Sequence, residues 1–138
     1  MRVVFWLMAL SLPVFSTAQN NPGKIILEVG KPCPNFDLSE IQYYNKRKAV
    51  IDDFKGNWLV LDFWSRTCSS CIEKMPAVNN MQKRFGDTVK FMLVGYAGSK
   101  LSSPQYRARF GEEQQLIKTI YEKTRIKNKL DLSVVYDS

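Results

Sequence analysis

Trp58-Leu59-Val60-Leu61-Asp62-Phe63-Trp64-Ser65-Arg66-Thr67-Cys68-Ser69-Ser70-Cys71 is the stretch on which the reading of this chain turns. Its first seven residues form a bulky apolar run interrupted only by Asp62. Such a run reads as a strand buried on both faces, the habit of a parallel sheet. Beyond it the spacing becomes helical. Cys71, Met75, Val78, Met81 and Phe85 recur every three or four positions, while Lys74, Asn79, Lys83 and Arg84 face the other way. Gly86 stops that helix, and Val89 to Gly95 is a second apolar strand. Residues 58–95 therefore read as one strand–helix–strand unit of an α/β fold, with the right-handed crossover that parallel strands impose.

Cys68 and Cys71 stand where the first strand gives way to the helix. A helix start exposes unpaired N–H groups and the positive end of the helix dipole, and both stabilise a thiolate. A cysteine so placed can fall from a pKa of ~8.5 to roughly 3.5–7.5. Two intervening residues carry the second sulfur one turn on, within reach of a disulfide. Thiolate attack on a substrate disulfide then gives a mixed disulfide, which the neighbouring thiol resolves. Three plainer readings stand beside this one: half of a zinc site, a structural disulfide closing a very short loop, or two inert buried thiols.

Working outward, Lys24 to Val29 reads as a short strand ended by Gly30 and a Pro32-Cys33-Pro34 turn. Phe36 to Tyr44 reads as an edge strand and Lys46 to Lys48 as a turn before Ala49-Val50-Ile51. On the other side, residues 99–111 read as a surface loop carrying Pro104. A second helix is expected from Glu112, with Leu116, Ile117, Ile120 and Tyr121 on one face and basic residues at its end. Leu132 to Tyr136 is a last strand.

The whole chain has 138 residues, 45% hydrophobic and 24% charged, the balance of one globular domain. It contains no histidine, which excludes Ser–His triads and His-ligated metal sites. Its three cysteines are too few for a disulfide scaffold. Residues 1–18 combine a basic start, a 13-residue apolar run and Ser16-Thr17-Ala18, the pattern of a cleaved signal peptide. The run is too short for the ~20 residues of a membrane span and contains Pro13. The net charge of +7 is scattered rather than gathered into a stripe interleaved with aromatics, so no nucleic-acid partner is expected.

Asp62-Phe63-Trp64-Ser65-Arg66-Thr67-Cys68-Ser69-Ser70-Cys71 resembles the active-site segment of the thioredoxin superfamily. Val29 to Leu38 and the pair Met75-Pro76 resemble exported TlpA/ResA-like thiol–disulfide oxidoreductases and their AhpC/TSA relatives, closely over residues 28–96 and loosely over 112–137. The resemblance implies a thioredoxin-like three-layer fold with a central mixed sheet across residues 19–138. It implies Cys68 as the exposed attacking thiol, Cys71 as the buried resolving thiol, and Asp62 as the acid beneath the pair. A carboxyl enclosed by Leu, Val, Phe and Trp side chains would suit a proton acceptor for Cys71. Implied too are protein thiol and disulfide substrates, a membrane-borne electron donor, no small-molecule cofactor, and a place in the periplasm or cell envelope of a bacterium.

The departures carry weight as well. Thr67 replaces the usual tryptophan, Ser69-Ser70 replaces the familiar Gly-Pro, and no proline follows Pro104 to supply the cis-proline loop. The final hairpin and helix are thus expected to be missing, leaving a C-terminally incomplete domain with an open strand edge. A non-catalytic binding domain and a peroxiredoxin-type peroxidase stay open as alternatives. Against the peroxidase, Leu61 stands at that motif's proline position. Arg66 reads either as a helper of the Cys68 thiolate or as a solvated surface residue, and Cys33 as a half-buried filler or a regulatory partner of Cys68.

Overall fold

The computed structural model describes residues 27–98 and 104–136. The stretch read as a signal peptide lies outside them, as do residues 24–26. In chain order the elements are β1 (Asp37–Leu38), β2 (Ala49–Val50), a short 3-10 turn (Ile51–Phe54), β3 (Trp58–Trp64), α1 (Ser69–Phe85), β4 (Val89–Gly95), α2 (Pro104–Asn128) and β5 (Ser133–Tyr136). β3, β4 and β5 form a parallel sheet in that order, with Asp62 beside Leu93 and Leu93 beside Val134. Gln42 adds an antiparallel bridge to Val134, and β1 and β2 make a separate antiparallel pair. Two right-handed crossovers stepping the same way across a sheet put both helices on one face. That face holds Trp64, Met75, Val78, Leu93, Ile117, Tyr121 and Val134 as one core. The β1–β2 pair and the 3-10 turn cover the other, where Leu38, Ala49 and Phe54 meet Met92, Val94 and Val135. The layers are therefore helices, sheet and N-terminal hairpin.

Side chains that are not apolar fasten these layers. Gln82 donates from Nε2 to the carbonyls of Gly86 and Val89 and accepts the Phe91 N–H at 2.8 Å. It thereby holds the end of α1 to the start of β4. Asn79, expected on the solvent side, is 3% exposed and accepts the Asp131 N–H at 2.9 Å. It lies one turn beyond Met75, on the buried stripe, and its hydrogen bond makes that burial tolerable. Met81 and Phe85 instead face outward in part. The Tyr121 hydroxyl donates to the Leu132 carbonyl at 2.5 Å inside the core.

Four expectations are corrected. β3 is not buried on both faces: Trp58 is 75% and Phe63 62% exposed. It is the outer strand of the sheet, and among the described residues none pairs with its free edge. Residues 27–30 form no strand and turn at Val29–Gly30. Of residues 36–44 only Asp37–Leu38 is strand, because Glu40 and Tyr43 take positive φ values of 55° and 57° and break the extended path. Finally, α2 begins at Pro104, eight residues before Glu112. Proline has no N–H to leave unpaired in the first turn, so it opens a helix as readily as it marks a loop.

Candidate active site

The end of β3 is pinned first. The Tyr96 N–H donates to the Trp64 carbonyl at 2.8 Å, and Trp64 sits in the core. Beyond it the chain turns through Ser65–Cys68, closed by the Cys68 N–H on the Ser65 carbonyl at 3.1 Å. Ser65 and Thr67 hydroxyls meet at 3.1 Å across that turn. Cys68 is the N-cap of α1, and the Ile72 N–H on its carbonyl at 3.2 Å opens the helical ladder. Lys83 and Arg84 lie in the last turn, where cations suit the negative end of the dipole.

Cys68 and Cys71 are joined as a disulfide with Cα atoms 5.3 Å apart. Both are half-buried rather than one exposed and one enclosed. The asymmetry lies in their neighbours. Cys71 packs against the core built on Trp64 and Met75. Cys68 has the Ser70 hydroxyl 3.7 Å from its sulfur, and its side chain makes no capping hydrogen bond.

Asp62 lies on β3 two residues before Trp64, so its side chain shares the sheet face against which Cys71 packs. It is partly exposed. The enclosure expected of it is not complete, because β3 is an outer strand. Arg66 is not simply solvated: its Nε pairs with the Glu113 carboxylate of α2. Helix α2 is thereby tied to the loop that carries Cys68. Cys33 is exposed and lines an apolar cavity of about 430 Å³ with Phe54, Asn57 and Leu59, around the start of β3. Cys68 follows the opposite end of that seven-residue strand, which is roughly 20 Å long at ~3.3 Å per residue. Within one chain the two thiols do not meet.

Sequence reasoning passed over Glu113 and Ser70, one taken as a helix-start acid and the other as a change of motif. It also missed a cluster on the far side of α2. There the Tyr43 hydroxyl donates to Glu122, and Arg125 donates to the same carboxylate at 2.8 Å while covering the Tyr43 ring at 4.3 Å. Arg125, and then Tyr43, hold the Glu122 carboxyl down at about 2. The i, i+3 spacing of Glu122 and Arg125 was the available signal.

The AhpC/TSA family model matches residues 29–119. The thioredoxin-like protein YneN of Bacillus subtilis is 29% identical over 82 residues, covering 59% of this chain and 46% of that protein. The thiol-disulfide oxidoreductase ResA of Geobacillus thermodenitrificans is 27% identical over 113 residues, 80% of this chain and 63% of its own length. Among solved structures, the pneumococcal exposed lipoprotein thioredoxin of Streptococcus pneumoniae superposes with a TM-score of 0.53 at 25% identity, covering 75% of this chain and 66% of that one. The thioredoxin domain of a Bacteroides vulgatus thiol-disulfide oxidoreductase gives 0.51 at 18% identity, over 82% and 66%. The chain thus spans less than two thirds of the length of the curated relatives it matches.

Proposed function

Since this chain belongs to the AhpC/TSA family and has a thioredoxin-like fold, we propose that it is an extracytoplasmic thiol–disulfide oxidoreductase that exchanges disulfides with protein substrates through Cys68 and Cys71. The observation that carries the proposal is the placement of the pair. Two sulfurs already in bonding contact sit at the first turn of a 17-residue helix, on a loop held by β3. Relatives named thiol-disulfide oxidoreductases and the signal-peptide pattern of residues 1–18 support the reading.

In the reductive direction the Cys68 thiolate attacks one sulfur of a substrate disulfide. That S–S bond breaks, a mixed disulfide forms, and one substrate thiolate leaves. Cys71 then loses its proton, with Asp62 as the proposed acceptor through the shared sheet face, and attacks the Cys68 sulfur. The second substrate thiolate departs. The substrate has gained two electrons and the cysteine pair has lost them. A membrane-borne dithiol donor would return both electrons, and no small-molecule cofactor enters the cycle.

The test is insulin-type disulfide reduction by the chain beginning at Gln19. Cys68→Ser abolishes turnover, whereas Cys71→Ser stops at a mixed disulfide that survives alkylation and shows in the intact mass. Equal trapping by both variants, or turnover in Cys68→Ser, overturns the assignment.

A further inference from the structure

We propose that the outward face of α2 is a docking surface for an anionic lipid membrane, holding this chain beside its membrane-borne donor with the cysteine pair left uncovered. The proposal takes its purpose from the exported, donor-fed reading above.

Leu116, Thr119, Lys123, Ile126 and Lys127 recur at helical spacing along α2, and all five are exposed. Ile117 and Tyr121, on the opposite side, are buried in the core. The stripe is thus the solvent side of a packed helix, yet Leu116 is 48% and Ile126 65% exposed on it. A single exposed apolar residue needs no explanation. Here cations accompany the pair. Lys123, Lys127 and Lys129 stand three before, one after and three after Ile126, and none of them makes an ion pair among the described residues. Nearby charges are already matched: Lys118 pairs with Glu40 at 3.3 Å, and Arg125 takes up the Glu122 carboxylate at 2.8 Å. Glu112 is in line with the stripe but lies on the far side of Leu116 from the lysines. The uncompensated charge around Ile126 is therefore positive. Beside it a depression of about 520 Å³, walled by Gln42, Lys118, Thr119 and Lys123, leaves space for a headgroup. Apolar side chains that can enter the acyl boundary, flanked by lysines whose long stems carry ammonium groups to the phosphates, suit the surface of an anionic bilayer. No helix among the described residues is long and apolar enough to cross a membrane, and the contact proposed is with the lipid surface. Docking there leaves the chemistry free. Glu113 pairs with Arg66 on the loop that carries Cys68, and Lys127 lies roughly 20 Å further along α2 at ~1.5 Å per residue.

The experiment is co-sedimentation of the full mature chain with vesicles of equal parts phosphatidylglycerol and phosphatidylcholine, or of phosphatidylcholine alone, at low and physiological salt. Wild type is expected on the anionic vesicles and not on the neutral ones, with binding that weakens as salt screens the lysines. A basic residue close to an anionic surface strengthens partitioning about fivefold, so Lys123→Gln combined with Lys127→Gln should weaken binding roughly 25-fold. Lys31→Gln combined with Lys74→Gln removes the same net charge from other exposed positions and should change it little. Ile126→Ser should weaken binding about fivefold, part of what full burial of an isoleucine side chain would give. Every substituted side chain is exposed, and melting curves that match wild type show that folding is untouched. Equal losses in the two lysine pairs would reduce the effect to net charge. Unchanged binding in Ile126→Ser would make the contact purely ionic, as with a soluble acidic protein. Either result, or equal binding to neutral vesicles, overturns the proposal. The assay needs no turnover: a chain inactive on insulin would sink the functional reading, while vesicle binding still decides this one.

Discussion

Gly95→Ala should destabilise the fold by about 1–3 kcal/mol, the usual cost of one carbon too many in a filled core. Gly95 ends β4 with no positive φ, so any residue could adopt its backbone and space alone decides. A Cβ there would lie 2.8 Å from Cδ1 of Tyr136 and 2.9 Å from Cγ2 of Ile117. To reach an ordinary ~3.5 Å contact, each partner must withdraw by roughly 0.6–0.7 Å. Neither has room. Ile117 is 1% and Tyr136 4% exposed, and both belong to the core that also holds Trp64 and Tyr121. For a chain of this length each kcal/mol is worth about 3–5 °C. Thermal melts followed by circular dichroism should thus fall by several degrees, with an unchanged urea m-value. The double variant Gly95→Ala, Ile117→Ala supplies the internal check, because the new methyl partly fills the hole that the second change opens. Its loss should be smaller than the summed single losses by more than ~0.5 kcal/mol. A melt within 1 °C of wild type, or strict additivity in the double variant, would refute this account of the β4–α2–β5 junction.

Asp62→Asn should slow resolution of the mixed disulfide roughly tenfold and leave the initial attack nearly unchanged. That is less than the ~10² or more usual for a general base, since water reaches a half-buried group. Stopped-flow single turnovers between pH 6 and 8 separate the two steps, and equal slowing of both would remove Asp62 from the resolving step. Glu122→Gln tests the cluster on α2. The folded-state value of Glu122 is depressed from 4.5 to about 2, chiefly by the Arg125 hydrogen bond, so its contribution is present above pH 4.5 and is lost as pH falls toward 2. The gap in melting temperature between wild type and Glu122→Gln should be constant from pH 5 to 7 and close below that. A gap that persists unchanged to pH 2.5 would count against the pairing.

The centre of this molecule was legible because each signal there was local. The apolar run ran from Trp58 to Trp64, and so does β3; Gly86 ended the helix where expected; Val89–Gly95 is β4 to the residue. What escaped depended on neighbours distant in sequence. Whether Phe63 is covered depends on what packs over its face of the sheet, and no pattern within seven residues reports that. Asn79 looked solvent-facing until the Asp131 N–H arrived to donate to its side-chain carbonyl. Arg66 read as a thiolate helper or a solvated residue, and only the packing of α2 brought Glu113 to it. The cysteine pair was found from spacing and position, whereas the Ser70 hydroxyl beside the Cys68 sulfur needed atoms.

The outer position of β3 has one more consequence. Among the described residues one edge of β3 is unpaired, and a β-prone, largely apolar edge is a template on which further chains can stack. In Trp58–Trp64 the one charged residue is Asp62. A carboxylate in the middle of that window acts as a gatekeeper, repelling its own image in a neighbouring molecule. In this arrangement the side chain proposed as the proton acceptor would also disfavour edge-to-edge stacking of β3.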